Sequence, residues 1–304
     1  MVVGCSIPAH NKFMRYQGMV IRPPSEANSC ILQVTYGCSH NRCTFCGTYM
    51  DKPFQVRPIQ EVLEDLALAR AEIPDTRCVF LADGNALVLG TEQLTTILDA
   101  LTSAFPRLRR VGIYASARDI LGKTDAELAA LQQRKLHIVY LGLESGSDEV
   151  LRRVHKGITA AEMVEAVRKL RGAGMRASVI GLLGLGGMEL SAEHAEATGR
   201  VVSAMDPEYF SMLTVMFIPG TELYGQWRQG TFKLPEPEDL LQELRQVIAH
   251  CDGLSRCVFR TNHASNYLPL AGTLSRDKAE LLAAIDGAVA QGRSALRPEA
   301  WRAL

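Results

Sequence analysis

The feature that most constrains the fold is an alternation of short apolar runs with segments of helix length between residues 31 and 217. The runs are rich in Val, Ile, Leu and aromatic residues, as is typical of strands buried on both faces. They are ILQVTYG (31–37), RCVFLA (77–82), RVGIYAS (110–116), HIVYLGLES (137–145), RASVIGLLG (176–184) and YFSMLTVMF (209–217). This alternation predicts successive strand–helix units and therefore a parallel sheet.

The segments between the runs have apolar residues at helical spacing and recognisable helix start signals. Pro58 is suited to the beginning of a helix, and most of the other segments open with Ser or Thr followed by an acid. The predicted helices cover 58–73, 91–105, 124–134, 159–174 and 191–205. Because a closed barrel of this kind needs about eight units, the six found here predict an α/β fold, a partial (β/α)6 TIM-like barrel. A doubly wound sheet is the alternative.

The chain divides into three predicted parts. Residues 1–30 read as an irregular N-terminal lead-in, and residues 31–225 carry the barrel core. Residues 226–304 contain a helix, a possible strand (RCVFRT) and a last helix, which predicts a C-terminal helical extension packed on the barrel. A length of 304 residues is compatible with one unit of this size.

Composition and charge restrict the class of protein and its location. The 33 Lys and Arg residues balance the 33 Asp and Glu residues, which argues against a protein held by nucleic-acid phosphates. No apolar run approaches the length of a membrane span, and the N-terminus does not resemble a signal peptide. We therefore expect a cytoplasmic protein, in which clustered cysteines more often bind metal or do chemistry than form disulfides.

Three of the eight cysteines follow the first predicted strand with the spacing C-x4-C-x2-C: Cys38, Cys43 and Cys46. In a parallel α/β fold the functional groups gather at the carboxyl ends of the strands. Three thiolates can hold three irons of a [4Fe–4S] cluster and leave the fourth iron open, whereas such clusters usually have four Cys ligands. His40 lies in the same loop, so a Cys3His zinc site is an alternative. Unliganded structural cysteines are a third possibility.

A βα barrel whose first loop carries three cysteines, with Phe45 just before the last, resembles the radical S-adenosylmethionine (radical SAM) superfamily. The usual spacing in that family is C-x3-C-x2-C, and this loop has one residue more. The segment MFIPGTELY after the sixth run is similar to a turn found in coproporphyrinogen oxidase-like and methylthiotransferase-like members. The resemblance covers residues 31–225, and the cysteine motif is its most specific part.

The resemblance implies that the three cysteines bind a [4Fe–4S] cluster and that residues ending the other strands contact S-adenosylmethionine (SAM). The implied contacts are Phe45 at the adenine; Asp83, Gly84 and Asn85 at the amino group; Ser116 at the rim; Glu144 and Ser145 at the ribose hydroxyls; Lys156 at the carboxylate; and Gly184 on the adenine side. An ordinary Asp-Gly turn at Asp83 and a solvated surface lysine at Lys156 are the alternatives.

The resemblance also implies an activity. One electron from the cluster cleaves SAM into methionine and a 5′-deoxyadenosyl radical, which abstracts hydrogen from a small-molecule or peptide substrate. The electron would come from a donor such as flavodoxin or ferredoxin. A noncatalytic zinc-binding protein and an iron–sulfur electron carrier remain the alternatives, and the reaction beyond hydrogen abstraction is open.

The segment TNHASNYLPLAG (261–272) is unusually polar and follows the possible strand of the extension. It brings together His263, Asn266 and Tyr267. One hypothesis is that this loop closes the barrel mouth and touches the substrate. The alternative is a polar loop that only caps the end of the barrel.

Overall fold

The computed structural model describes residues 14–303, so residues 1–13 of the predicted lead-in and Leu304 lie outside the described residues. The strands are β1 (Cys30–Gln33), β2 (Thr35–Tyr36), β3 (Gln55–Val56), β4 (Cys78–Ala82), β5 (Arg110–Tyr114), β6 (Leu136–Glu144), β7 (Arg176–Leu183), β8 (Tyr209–Thr214), β9 (Val258–Arg260) and β10 (Ala271–Thr273). The helices are α1 (Ile59–Glu72), α2 (Thr91–Ala104), α3 (Ala117–Leu121), α4 (Asp125–Gln133), α5 (Asp148–Arg153), α6 (Ala160–Gly172), α7 (Gly187–Met205), α8 (Glu222–Arg228), α9 (Pro237–Ala249) and α10 (Leu274–Gln291).

Eight strands form one open sheet in the order β1-β4-β5-β6-β7-β8-β9-β10. Neighbouring strands are parallel from β1 through β9, and only the β9–β10 pair is antiparallel. Helices separate the strands from β4 to β8 in the chain, as the sequence predicts. The α/β class of consecutive strand–helix units is therefore confirmed.

Two parts of the sheet differ from the sequence prediction. The first run is divided, because β2 leaves the central sheet and pairs antiparallel with β3. The possible strand of the extension is β9, which adds a seventh parallel strand beside β8, and β10 follows it at the edge. The extension is thus not only helical. Strand β10, with the sequence AGT, is too short to show a periodic pattern.

Helix boundaries agree with their start signals where Ser or Thr provides the cap. Thr124 and Thr159 accept hydrogen bonds from the backbone N–H groups of Glu127 and Glu162 in reciprocal capping boxes. Helix α7 is the exception, since it begins at Gly187 and not at the predicted Ser191. Glycines are poor helix formers, so the pattern placed this start too late.

Side chains alternate between two buried layers on the parallel strands. One set packs with the surrounding helices, and the other, which includes Ile31, Phe80 and Tyr140, fills the space on the opposite face. Phe80 meets Tyr114 and Tyr140 edge-on at centroid distances of 4.9 and 5.6 Å. Each such pair contributes about 1 kcal/mol beyond its buried area. The lead-in completes this layer, since the buried Glu26 accepts a hydrogen bond from the Tyr140 hydroxyl.

The C-terminal part contacts the core through its helices. Helix α9 packs on α7, and α10 packs on α9. The division of the chain at residues 30 and 225 stays a prediction. Within residues 14–303, no helix combines the length and apolar character needed to cross a bilayer.

Candidate cofactor site

A cavity of about 380 Å³ lies at the carboxyl ends of β4, β5 and β6, against the loop that carries the three cysteines. We call residues 37–52 the cysteine loop and this space the cofactor cavity. Six of the predicted residues line it: Cys38, Cys43, Gly84, Asn85, Ser116 and Lys156. Cofactor and ligand sites typically enclose about 300–1,000 Å³. The structure thus brings residues from four separate chain segments to one space of suitable size.

Asp83, directly after β4, holds the base of the cysteine loop. Its side chain is fully buried and pairs with the ammonium group of Lys52 at the end of the loop. The same carboxylate accepts hydrogen bonds from the Gly37 backbone N–H at 3.2 Å and from the Gln33 amide at 3.1 Å. Asp83 therefore connects both ends of the loop to β4, and it does not line the cofactor cavity.

The next two residues continue this attachment. Gly84 has φ +45°, and a Cβ at this position would overlap the backbone of Gly37, so only glycine permits such a close approach. Its N–H donates to the Tyr49 hydroxyl at 2.9 Å, and the Asn85 side chain accepts from the Ser39 N–H at 3.0 Å. Three consecutive residues after β4 thus position the cysteine loop, and Lys52 and Tyr49 are partners that no sequence pattern indicated.

The three thiols are half-buried and free of disulfides. Burial raises the pKa of Cys43 to about 12 and also raises the pKa of Cys46. Both groups are therefore protonated in the metal-free protein at neutral pH, and metal binding must displace their protons.

The described donor groups do not form a site for a single metal ion. Among residues 14–303, no three His, Cys, Asp or Glu side chains converge on one ion. The Nε2 atom of His40 is hydrogen-bonded to the carbonyl oxygen of His155 at 2.7 Å. A tetrahedral zinc site requires all four ligands around one point. In a [4Fe–4S] cluster each thiolate binds a different iron, so the thiols need not converge.

A buried ion pair joins β6 to the cofactor cavity. Lys156 donates to the Glu144 carboxylate at 2.9 Å, and both side chains are mostly buried. Burial alone opposes the ammonium form of Lys156, but the negative charge of Glu144 outweighs that effect, and the pKa of Lys156 is raised. A cation therefore lies beside the thiols, which argues against a solvated surface lysine at this position.

The backbone around Glu144 is shaped to form this pair. Glu144 has φ +63°, at the point where the β6–β7 register shifts between Gly142 and Glu144. A Cβ at Gly142 would overlap the Glu144 carboxylate and lie 3.1 Å from Lys156 Nζ. A non-glycine residue in the left-handed region costs about 1–3 kcal/mol, and such strain is common at functional sites.

Ser145 is turned away from the cofactor cavity. It is fully buried, its Oγ lies 2.7 Å from His194 Nδ1 on α7, and it accepts from the Ser147 N–H at 3.0 Å. A Cβ at Gly146 would overlap the backbone of Ala197, so the turn after β6 lies directly on α7. His194 is a partner that the sequence did not suggest, since it lies in a helix 49 residues away.

Three other predicted residues have different surroundings. Ser116 lines the cofactor cavity and also caps α3 in a capping box. Phe45 packs against the apolar cluster that contains Val150 and Leu185. Gly184 has φ +81° and lies against Leu234. Neither Phe45 nor Gly184 lines the cofactor cavity.

The predicted substrate residues of the extension are hydrogen-bonded to other groups of the protein. Asn266 is buried, and its amide donates to the carbonyl oxygens of Met212 and Thr261 at 2.7 and 2.9 Å. Nδ1 of His263 lies 2.9 Å from the Ser265 hydroxyl. None of the three predicted residues lines the cofactor cavity. Their proposed contact with a substrate stays a prediction.

A larger cavity, of about 960 Å³, lies beside β8 and the C-terminal segment. It is lined in part by Tyr267, whose hydroxyl donates to Glu299 and accepts from Arg302, each at 2.5 Å. Phe217 and Trp227 stack at 4.6 Å in its wall. None of the three cysteines borders it.

Comparisons with known proteins agree with this geometry. The family model described as the radical SAM superfamily matches residues 32–196, more than half of the chain. An uncharacterized methyltransferase, PH0819, from Pyrococcus horikoshii is 25% identical over 199 residues, which are 64% of this chain and 41% of that protein. The heme chaperone HemW from Bacillus subtilis is 22% identical over 219 residues, which are 69% of this chain and 56% of HemW. The chain thus spans about half the length of these relatives.

Solved structures show the same fold. Coproporphyrinogen III oxidase (HemN) from Escherichia coli, a radical SAM enzyme, has a TM-score of 0.57 at 16% identity over 74% of this chain and 52% of HemN. The methyltransferase TsrM from Kitasatospora setae, solved with cobalamin and a [4Fe–4S] cluster, has a TM-score of 0.53 at 20% identity over 64% of this chain and 38% of TsrM. The predicted partial barrel is thereby confirmed. The chain belongs to the radical SAM superfamily, whose members use a [4Fe–4S] cluster and SAM.

Proposed function

We propose that Cys38, Cys43 and Cys46 bind a [4Fe–4S] cluster and that SAM binds in the cofactor cavity beside them. The observation that supports this proposal most strongly is that two thiols of the motif, Cys38 and Cys43, line one cavity with Lys156, whose ammonium group is paired with Glu144. The bound cluster and SAM would supply an electron and a 5′-deoxyadenosyl radical, which removes a hydrogen atom from a small-molecule or peptide substrate.

The proposed task of the protein's own groups is to bind the cluster and SAM and to orient SAM. The cysteine loop is fixed by Asp83, Gly84 and Asn85, so the thiols approach the cavity from one side. The Lys156 ammonium provides a cation for the carboxylate of SAM, because a charge-assisted hydrogen bond in a partly buried site is stronger than one in water. Glu144 is the acceptor we assign to the ribose hydroxyls. This assignment requires the Glu144 carboxylate to accept hydrogen bonds from Lys156 and from the ribose hydroxyls at the same time.

Two other implied contacts are proposed to act indirectly. Asp83 is committed to Lys52 and the loop backbone, so its proposed role is to hold the loop and not to touch the amino group of SAM. Ser145 is committed to His194, so its proposed role is to anchor the turn after β6. Contacts of Phe45 and Gly184 with the adenine stay proposals.

The substrate and the electron donor are proposed by chemical class only. The relatives include a methyltransferase and a heme chaperone, so similarity does not select one reaction. The proposed substrate is a small molecule or a peptide, and the proposed donor is a one-electron carrier such as flavodoxin or ferredoxin.

Anaerobic reconstitution with iron and sulfide tests the proposal. We expect about four irons per chain and a broad absorption near about 400 nm. Addition of dithionite and SAM should then yield 5′-deoxyadenosine and methionine. A protein that binds the cluster but forms no 5′-deoxyadenosine would be an electron carrier. A colourless protein that instead retains one zinc would contradict the cluster assignment.

A further inference from the structure

A buried carboxylate of the C-terminal part contacts the end of β7. Glu243 on α9 is only 3% exposed. Its Oε1 atom accepts a hydrogen bond from the Gly184 N–H at 2.6 Å, and its Oε2 accepts from the Ser191 hydroxyl. Gly184 is the first residue after β7 and has φ +81°. Glu243 therefore fixes the position at which the backbone leaves that strand.

A second buried group continues this contact to β6. His194 on α7 is fully buried, and its Nε2 lies 3.6 Å from Glu243 Oε1. Its Nδ1 lies 2.7 Å from the Ser145 hydroxyl, directly after β6. Glu243, His194 and Ser145 thus lie in one buried row from the C-terminal part to the residue that follows Glu144, in which Glu243 and His194 are in contact but too far apart for a hydrogen bond.

Burying these two ionisable groups costs more free energy than packing apolar side chains in the same place. Burial raises the pKa of Glu243 to about 7 and lowers the pKa of His194 to about 4, so the environment disfavours the charged form of each group. Neighbouring positions on α9, such as Leu240 and Leu244, are apolar and buried. An apolar residue at position 243 would avoid the cost of burying a carboxylate. A requirement of geometry at the two strand ends accounts for its presence.

We infer that Glu243 and His194 are positioning residues that set the ends of β6 and β7 for SAM binding. Glu144 immediately precedes Ser145 and is held in a strained backbone conformation, so movement of Ser145 displaces the Glu144–Lys156 pair. This inference rests on the proposed function, which places SAM at that pair. The inference makes α9 a part of the SAM site, although α9 lies outside residues 32–196, which the family model matches.

The test is the dissociation constant of SAM, measured by isothermal titration calorimetry on anaerobically reconstituted protein. Loss of a group that orients direct ligands typically weakens binding by about 10–100-fold, and we expect a weakening of at least about tenfold for Glu243→Ala. Glu243→Gln keeps an oxygen that can accept from the Gly184 N–H, so it should recover most of the affinity. The effect should appear in KM for SAM more than in kcat.

A matched control lies at the opposite end of the same strand. Glu208 accepts from the Ala177 N–H at 2.9 Å near the beginning of β7. Glu208→Ala should therefore leave the dissociation constant of SAM unchanged. Amide hydrogen exchange on the metal-free protein provides a second readout. It should become faster at residues 143–147 in Glu243→Ala and stay unchanged there in Glu208→Ala.

The outcomes separate the two proposals. Wild-type protein that binds the cluster but no SAM would refute the proposed function. If the wild-type protein binds SAM and a folded Glu243→Ala variant binds SAM with equal affinity, the positioning role is overturned. If Glu243→Ala does not fold, Ser145→Ala interrupts the same row at its other end with a smaller change. Wild-type SAM affinity in that variant would also overturn the inference.

Discussion

Two polar loops at the same edge of the sheet differ in what their polar side chains contact. The cysteine loop follows β1 and β2, and the β9–β10 loop (residues 261–270) follows β9, which runs parallel to the other strands. In the cysteine loop the backbone is held by residues after β4, and thiols remain directed to a cavity. In the β9–β10 loop the polar side chains bond to their own loop and to β8.

The difference shows that polar residues after a strand do not by themselves mark a site. Asn266 uses both ends of its amide, since its oxygen also accepts from the Thr214 hydroxyl at 2.9 Å. Such an amide replaces backbone partners that an irregular loop lacks. The side chains of Cys38 and Cys43, by contrast, border the cofactor cavity.

Cys43→Ala should abolish cluster-dependent activity. Removal of one of three thiolates leaves too few ligands, so iron content and 5′-deoxyadenosine formation should both fall to background. Cys78→Ala is the control, because Cys78 lies in β4 and outside the cofactor cavity. Equal iron content in Cys43→Ala and wild-type protein would remove the ligand assignment. Iron analysis and product quantification provide the measurement.

Asp83→Ala should release the cysteine loop and destabilise the fold. The change leaves the mostly buried Lys52 ammonium without its partner, and removal of one member of a buried ion pair costs about 3–5 kcal/mol. We expect a lower midpoint of urea unfolding and a lower iron content after reconstitution. Asp51→Ala, an exposed carboxylate of the same loop, should change neither quantity. Wild-type stability in Asp83→Ala would show that the attachment is unimportant.

Asn266→Ala should reduce stability without affecting SAM. The Met212 and Thr261 carbonyls and the Thr214 hydroxyl would each lose a partner, and an unsatisfied buried group costs about 1–3 kcal/mol. The dissociation constant of SAM should stay at the wild-type value. A large loss of substrate turnover, with SAM cleavage and stability retained, would instead assign this loop to the substrate.

His263 predicts a small dependence of stability on pH. Burial, with a contribution from Arg297, lowers the pKa of His263 in the folded state. The neutral ring is therefore favoured on folding, and its stabilisation is present above about pH 6.5 and is lost as pH falls through the folded pKa. Between pH 7 and pH 5 the wild-type protein should therefore lose more unfolding free energy than His263→Ala, as measured by urea unfolding at the two pH values. A difference that is constant with pH would contradict this assignment.

The periodicity of apolar residues predicted the fold class, and the strand-end rule predicted the edge of the sheet at which the candidate site lies. The apolar runs that correspond to β4 through β8 are long enough to be recognised as buried strands. The capping residues Thr124 and Thr159 indicated where α4 and α6 begin. The rule that parallel strands present their carboxyl ends at one edge agrees with the position of the cysteine loop, and Lys156, which the family resemblance indicated, lines the same cavity as Cys38 and Cys43.

The partners of individual polar groups could not be predicted in this way. Asp83 pairs with Lys52 and Ser145 with His194, and each pair depends on how a loop or helix packs across the sheet. A pattern of apolar residues specifies which face is buried, but it does not specify the polar atom opposite a given side chain. The family resemblance indicated Asp83 and Ser145 as SAM contacts, and in the structure each of them also bonds to a neighbouring segment.

The most direct measurement is the affinity of the reconstituted protein for SAM after Lys156→Met, with Asn266→Ala measured in parallel. Lys156 lines the cofactor cavity, and Asn266 is committed to the β9–β10 loop. Loss of a hydrogen bond to a charged group costs about 1.5–3 kcal/mol, so Lys156→Met should weaken SAM binding by about tenfold or more while iron content is retained. Asn266→Ala should bind as wild type does. Wild-type affinity in Lys156→Met would contradict SAM binding in this cavity.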